Sequence, residues 1–197
     1  MLHKAIAKTA FVLLAPFLAL NTAQAHWSLA NDASTLSFVT TKADNVAEVH
    51  TFDTLSGSIA PNGTVEVSIE LASVNTLIPI RNERMQAMLF ETPLFPNATI
   101  AANVDFAAID AMAPGETAMQ QLSFTLDLHG SSASYTADVQ VTRLQGGVVA
   151  STLKPVIVTA DAFGLVAGVE ALREVAGLTR ISNAVPVSFS VTFVEGE

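Results

Sequence analysis

The chain contains no cysteine. That absence removes disulfides, thiolate nucleophiles, zinc–thiolate centres and iron–sulfur clusters together, and leaves stability to the packed core. Basic side chains are also scarce: 9 Lys and Arg stand against 18 Asp and Glu, a formal net charge of −9 at pH 7. A surface of that sign repels phosphate, so nucleic acid and anionic membrane surfaces are disfavoured as partners. Aromatics other than phenylalanine are nearly missing, with one Trp and one Tyr beside 11 Phe. After residue 25 no apolar run approaches the roughly 18 residues that mark a membrane-spanning helix, so no integral membrane segment is expected there.

What is present begins with a leader over residues 1–25. Lys4 and Lys8 give it a positive start, Ala10 to Leu20 is an apolar run, and Ala23-Gln24-Ala25 offers a small-x-small cleavage site. The run is too short to span a bilayer core of about 30 Å. The leader therefore reads as a cleavable export signal, and the expected location is periplasmic. Residues 26–197 remain, enough for one domain with a sizeable core.

That domain alternates. Thr64 to Leu71 puts Val65, Val67, Ile69 and Leu71 on one face and Glu66, Ser68 and Glu70 on the other. Period 2 of this kind is a strand with one buried face. The same pattern predicts strands over Leu36–Thr40, Val46–Phe52, Leu55–Ile59, Thr99–Phe106, Gln121–His129, Tyr135–Arg143, Val148–Leu153, Val156–Thr159 and Val185–Phe193. Turns are expected at Asn62-Gly63, Gly130-Ser131-Ser132 and Gln145-Gly146-Gly147. A helical turn is expected within Val169–Val175. The pattern is all-β and antiparallel, a sandwich or an up-and-down barrel.

One stretch, residues 73–96, does not alternate. Ile80, Met85, Met88 and Leu89 recur at helical spacing, with Pro79 ahead of them and Pro93 and Pro96 behind. A short amphipathic helix set into a β chain covers or plugs something.

This stretch also carries a resemblance. Ser73-Val74-Asn75-Thr76, then Arg81-Asn82-Glu83-Arg84-Met85, then Leu94-Phe95-Pro96-Asn97-Ala98-Thr99-Ile100 resembles the YceI family of lipocalin-like polyisoprenoid-binding proteins. Ser34-Thr35-Leu36-Ser37-Phe38 is similar to the family's H-S-x-V-x-F, with Ala33 in place of the His. Ile181 to Phe189 is similar to its closing strand. Asn82 stands where the family has Asp, Arg84 where it has His, and Phe95-Pro96 where it has Tyr-Pro. The resemblance implies an extended, eight-stranded antiparallel lipocalin-like barrel with a short helix after the middle strands. It also implies a non-catalytic carrier or store for a polyisoprenoid lipid, an isoprenoid quinone or a polyprenyl chain, and allows a homodimer.

Inward positions expected to line a lipid site are Phe38, Val67, Ile69, Phe106, Phe124, Leu126, Phe189 and Val191. Met85 and Met88 join them at the helical cap, where Met suits an adaptable apolar surface. Arg81, Glu83 and Arg84 on the polar side of this helix read as a solvated face with local ion pairs. Alternatively, Arg81 stands at the mouth, where a guanidinium could receive a head group, with Asn75 and Asn82 as candidates to orient it. No separate cofactor, resident metal or catalytic residue is expected. Three alternatives stand beside the carrier. One is a structural or stress-related barrel without cargo. Another is a copper site built from His26 at a new N-terminus with His50 or His129. The last is hydrolysis by Asp127, His129 and Ser131 or Ser132, although a triad is a geometry rather than a sequence cluster.

Overall fold

The structure, a computed structural model, describes residues 26–196, so the leader lies outside the described residues. A three-residue strand, β1 (Trp27–Leu29), is followed by β2 (Thr35–Lys42), β3 (Val46–Phe52), β4 (Leu55–Ile59), β5 (Thr64–Glu70) and the short β6 (Val74–Asn75). Helix α1 (Pro79–Arg84) then runs straight into a π-helical turn, Met85–Leu89. After it come β7 (Asn97–Asn103), α2 (Phe106–Asp110), β8 (Thr117–Leu128), β9 (Ser131–Leu144), β10 (Gly147–Thr152), β11 (Val156–Thr159), α3 (Val166–Val175) and β12 (Ala184–Glu195).

Every strand pairing is antiparallel. The ladder runs β4-β5-β7-β8-β9-β10-β12, and β1 pairs with both β4 and β12, which closes eight strands into a barrel. Closure leaves no free edge in the ring. The long β12 pairs with β1 at its C-terminal end and with β2 nearer its start, and β2 brings β3 and β6 with it. The eight-stranded lipocalin-like barrel expected from the resemblance is thus the observed one, with β2, β3, β6 and β11 as additions.

Three local expectations are corrected. The strand expected to reach Phe106 stops at Asn103 because Asp105 caps a helix, its side chain accepting from the Ala108 N–H at 3.0 Å. Phe106 therefore belongs to α2, since an Asx cap outweighs the continued alternation of Val104 and Phe106. The turn after β8 is His129-Gly130 alone, with φ of 52° and 75°. Two successive left-handed residues make the tight hairpin turn whose twist suits the strands, so Ser131 and Ser132 belong to β9.

The third correction concerns α3, a full helix over Val166–Val175 although Gly168 lowers its propensity. The glycine is required by packing: a Cβ there would stand 2.7 Å from the Met88 carbonyl oxygen. Gly168→Val should push α3 off the π-helical turn and cost about 1–3 kcal/mol as overpacking. Urea unfolding would measure it.

The barrel is sealed at the end away from α1. Trp27 is 1% exposed, its ring 4.9 Å from that of Phe106. The Arg143 guanidinium lies over the indole, Cζ 4.9 Å from its centroid. Arg143 also donates to the Gly147 carbonyl at 2.6 Å and to Glu195 at 3.0 Å, tying β9, β10 and β12 together. Among the described residues no helix is long and apolar enough to cross a membrane.

Candidate lipid site

The site begins in the pairing of β2 with β3. The register sets Leu36 opposite Phe52, Phe38 opposite His50 and Thr40 opposite Glu48. Opposed residues of an antiparallel pair share a face. With Lys42 two residues beyond Thr40, all of them line one cavity of about 360 Å³ inside the barrel. Its inner wall is apolar at Leu36, Phe38 and Phe52 and becomes polar toward Lys42 and Glu48. Ile69 on β5, Ala98 on β7, Phe124 and Leu126 on β8 and Phe189 on β12 supply other walls. Met85 and Leu89 from the π-helical turn and Val169 and Leu172 from α3 form a roof.

The polar end is a connected network. Glu48 accepts from Lys42 at 2.5 Å and from Arg81 at 2.7 Å. The Lys42 hydrogen bond, reinforced by Arg81, holds the Glu48 carboxyl below the usual carboxylate range. The bond to Glu48 fastens α1 to β3 across 33 residues of sequence, and Arg81 also donates to the Thr76 carbonyl at 2.7 Å. Asn82 accepts from the Thr76 N–H at 2.9 Å and from its hydroxyl at 2.5 Å. Arg84 lines the cavity and has no ion-pair partner among the described residues.

His50 is 3% exposed, its Nε2 2.9 Å from the Thr40 hydroxyl, while its Nδ1 has no partner among the described residues. Burial first, and then the Arg81 charge, pushes its pKa below the ordinary 6.5. On acidification the unfolded chain takes up this proton before the folded one does. The folded state therefore loses stability as pH falls below about 6.5. Lys42, Glu48 and Arg81 act on the same ring, and Glu48 adds a similar loss only below its own ordinary value of 4.5. His50→Leu should flatten the fall in melting temperature between pH 7 and pH 5 and leave the steeper acid limb. Thermal melts across pH would read this directly.

The residues expected at the site fall into three groups. Phe38, Ile69, Arg81, Met85, Phe124, Leu126 and Phe189 line the large cavity. Val67 and Val191 line a smaller and separate one. Met88 and Phe106 line neither: Met88 is on the outer side of the roof, and Phe106 packs on Trp27 at the sealed end. Asn75 donates to Asp53 at 2.8 Å and accepts from the Leu77 N–H, so it shapes the turn before α1. Asn82 is likewise spent on Thr76.

Sequence reasoning did not place Thr40, Lys42, Glu48 or His50 at the lipid site, although period 2 counted onward from Phe38 and back from Phe52 reaches all four. It also missed the roof residues of α3, which only the fold brings over the cavity.

The hydrolytic triad does not assemble. His129 is a left-handed turn residue bonded to Glu91 at 2.8 Å and packed on Phe95, while Ser132 bonds Asp127 directly. No Asp-His-Ser relay runs through them. No group of three His, Asp or Glu that could hold a metal occurs among the described residues. His50 lies inside the barrel and His129 at a hairpin, where they serve other contacts.

A family model described as a YceI-like domain matches residues 27–193. No curated protein matches. Among solved structures, a polyisoprenoid binding domain from Saccharophagus degradans, implicated in plant cell wall breakdown, is 40% identical. The likeness has a TM-score of 0.84 and covers 86% of this chain and 98% of that one. Burkholderia cenocepacia BcnA is 18% identical with a TM-score of 0.64, covering 83% of this chain and 98% of that one. A Campylobacter jejuni YceI protein is 15% identical with a TM-score of 0.54, covering 75% and 84%. The last two likenesses concern the fold alone.

Proposed function

Since this chain belongs to the YceI-like family, we propose that its barrel binds a polyisoprenoid lipid, an isoprenoid quinone or a polyprenyl chain, and carries or stores it unchanged. The observation that supports this most is the 360 Å³ cavity, apolar along its length and polar at one end. A barrel filled by its own side chains would have favoured the alternative without cargo.

The tail would be held by burial, worth roughly 25 cal/mol per Å² of apolar surface removed from water. The head would lie toward Lys42, Arg81 and Arg84, where an oxygen of a phosphate or quinone meets donors. Among the described residues Arg84 is the cavity-lining guanidinium without an ion-pair partner. The leader, read as an export signal, supports a periplasmic location for this work. Because the family relative at 40% identity is described as a polyisoprenoid binding domain, that cargo class is the first to test.

The test is mass spectrometry of an organic extract from the exported protein purified without detergent. A stoichiometric polyprenyl lipid or quinone is expected. An empty extract, together with no uptake of added isoprenoids, would overturn the carrier reading. The same sample gives the N-terminal residue, expected to be His26, and by light scattering it reports the homodimer that the resemblance allows.

A further inference from the structure

A second chamber of about 90 Å³ lies deeper in the barrel. Its lining is apolar apart from Gln120, with Val67 on β5, Ala102 on β7, Val141 on β9, Ala150 on β10 and Val191 on β12. An apolar void of this kind stays dry and lowers packing density, which a protein interior ordinarily avoids. Four residues line both chambers: Leu36, Ile100, Phe124 and Phe189. Leu36 and Phe189 are register partners on β2 and β12. Ile100 and Phe124 sit on the neighbouring strands β7 and β8, which β9 and β10 separate from β12. The four side chains thus form a girdle between two chambers in line, and Ile100 and Phe189 are only half-buried.

We propose that the lower chamber is a subsite for the far end of the tail, entered when the girdle side chains change rotamer. The inference rests on the carrier reading and adds a length rule to it. Tails short enough to fit the upper cavity bind there alone. Longer ones gain affinity by passing the girdle, up to the length that fills both chambers. The Trp27 seal beyond then sets the end of the ruler.

The experiment measures dissociation constants for linear polyprenols of increasing isoprene number with the wild-type protein and with Ala150→Leu. Ala150 lines only the lower chamber, so the added side chain fills that space and leaves the upper cavity intact. Short polyprenols should bind both proteins alike. Long ones should bind the variant roughly tenfold more weakly, the effect of leaving about two methylenes unburied.

Val191→Phe fills the same chamber from β12 and serves if Ala150→Leu fails to fold. Phe189→Leu thins the girdle and should raise the association rate of long tails more than that of short ones. Equal effects on short and long tails, or none, would overturn the subsite while the carrier reading stands. If no polyprenol of any length binds the wild type, both fall.

Discussion

Ala98→Phe is expected to abolish cargo binding in a barrel that still folds. Ala98 is 3% exposed on the inner face of β7, opposite Ile69, and lines the large cavity. A phenyl ring built there enters space that the native side chains leave empty, so the overpacking penalty of a filled core is largely avoided. It would displace about four to six methylenes of a bound tail at about 0.8 kcal/mol each, a loss of roughly 3–5 kcal/mol, or about 10²- to 10⁴-fold in affinity. Ala101→Phe, on the exposed face of the same strand, is the control and should bind normally. Titration of a fluorescent polyprenyl analogue distinguishes the two. Native affinity in a folded Ala98→Phe protein would show that the cargo does not lie in this cavity.

Trp27→Ala should produce the largest loss of stability. The side chain is buried against Phe106 and under Arg143, on the three-residue strand that joins β4 to β12 and closes the ring. Truncating a buried Trp costs about 3–5 kcal/mol, much of the total for a domain that has no disulfide to support it. For a domain of this size that corresponds to a fall of roughly 10–15 °C in melting temperature. It would also uncover the face of Arg143, whose bonds to Gly147 and Glu195 would then be reached by water. Circular dichroism melts test the prediction, and Trp27→Phe should recover most of the loss. A shift of only a degree or two would mean that β1 is not needed for closure.

The closed barrel accounts for what could and could not be seen in the residues. Alternation along Thr64–Leu71 and within the Gln121–His129 stretch located β5 and the body of β8, because each inward position is apolar and each outward one polar. The same rule, applied past Phe38 and before Phe52, reaches Thr40, Lys42, His50 and Glu48. Those positions look like outward residues by polarity, and only their register partners reveal that they face the cavity. Polarity failed there because the mouth of a binding cavity is an interior that needs polar groups.

Phe106 failed in the opposite sense. Its alternation was intact, but a local Asx cap turned the backbone into α2. His129 attracted a catalytic reading through its neighbours, and its backbone explains it instead: the tight β8–β9 turn requires left-handed residues.

By itself the sequence determined the all-β antiparallel class, the short covering helix between two strands, and the exclusion of thiol chemistry. These follow from short-range pattern and composition. The tertiary structure decided the rest. It placed β1 between β4 and β12 to close the ring, and brought Arg81 to Glu48 across the cavity mouth. It laid α3 against the π-helical turn through Gly168, and aligned Leu36, Ile100, Phe124 and Phe189 as a girdle between two chambers. Each of these depends on which strands become neighbours and in what register. Those are choices made by non-local packing, where residues far apart in the chain bury the same space.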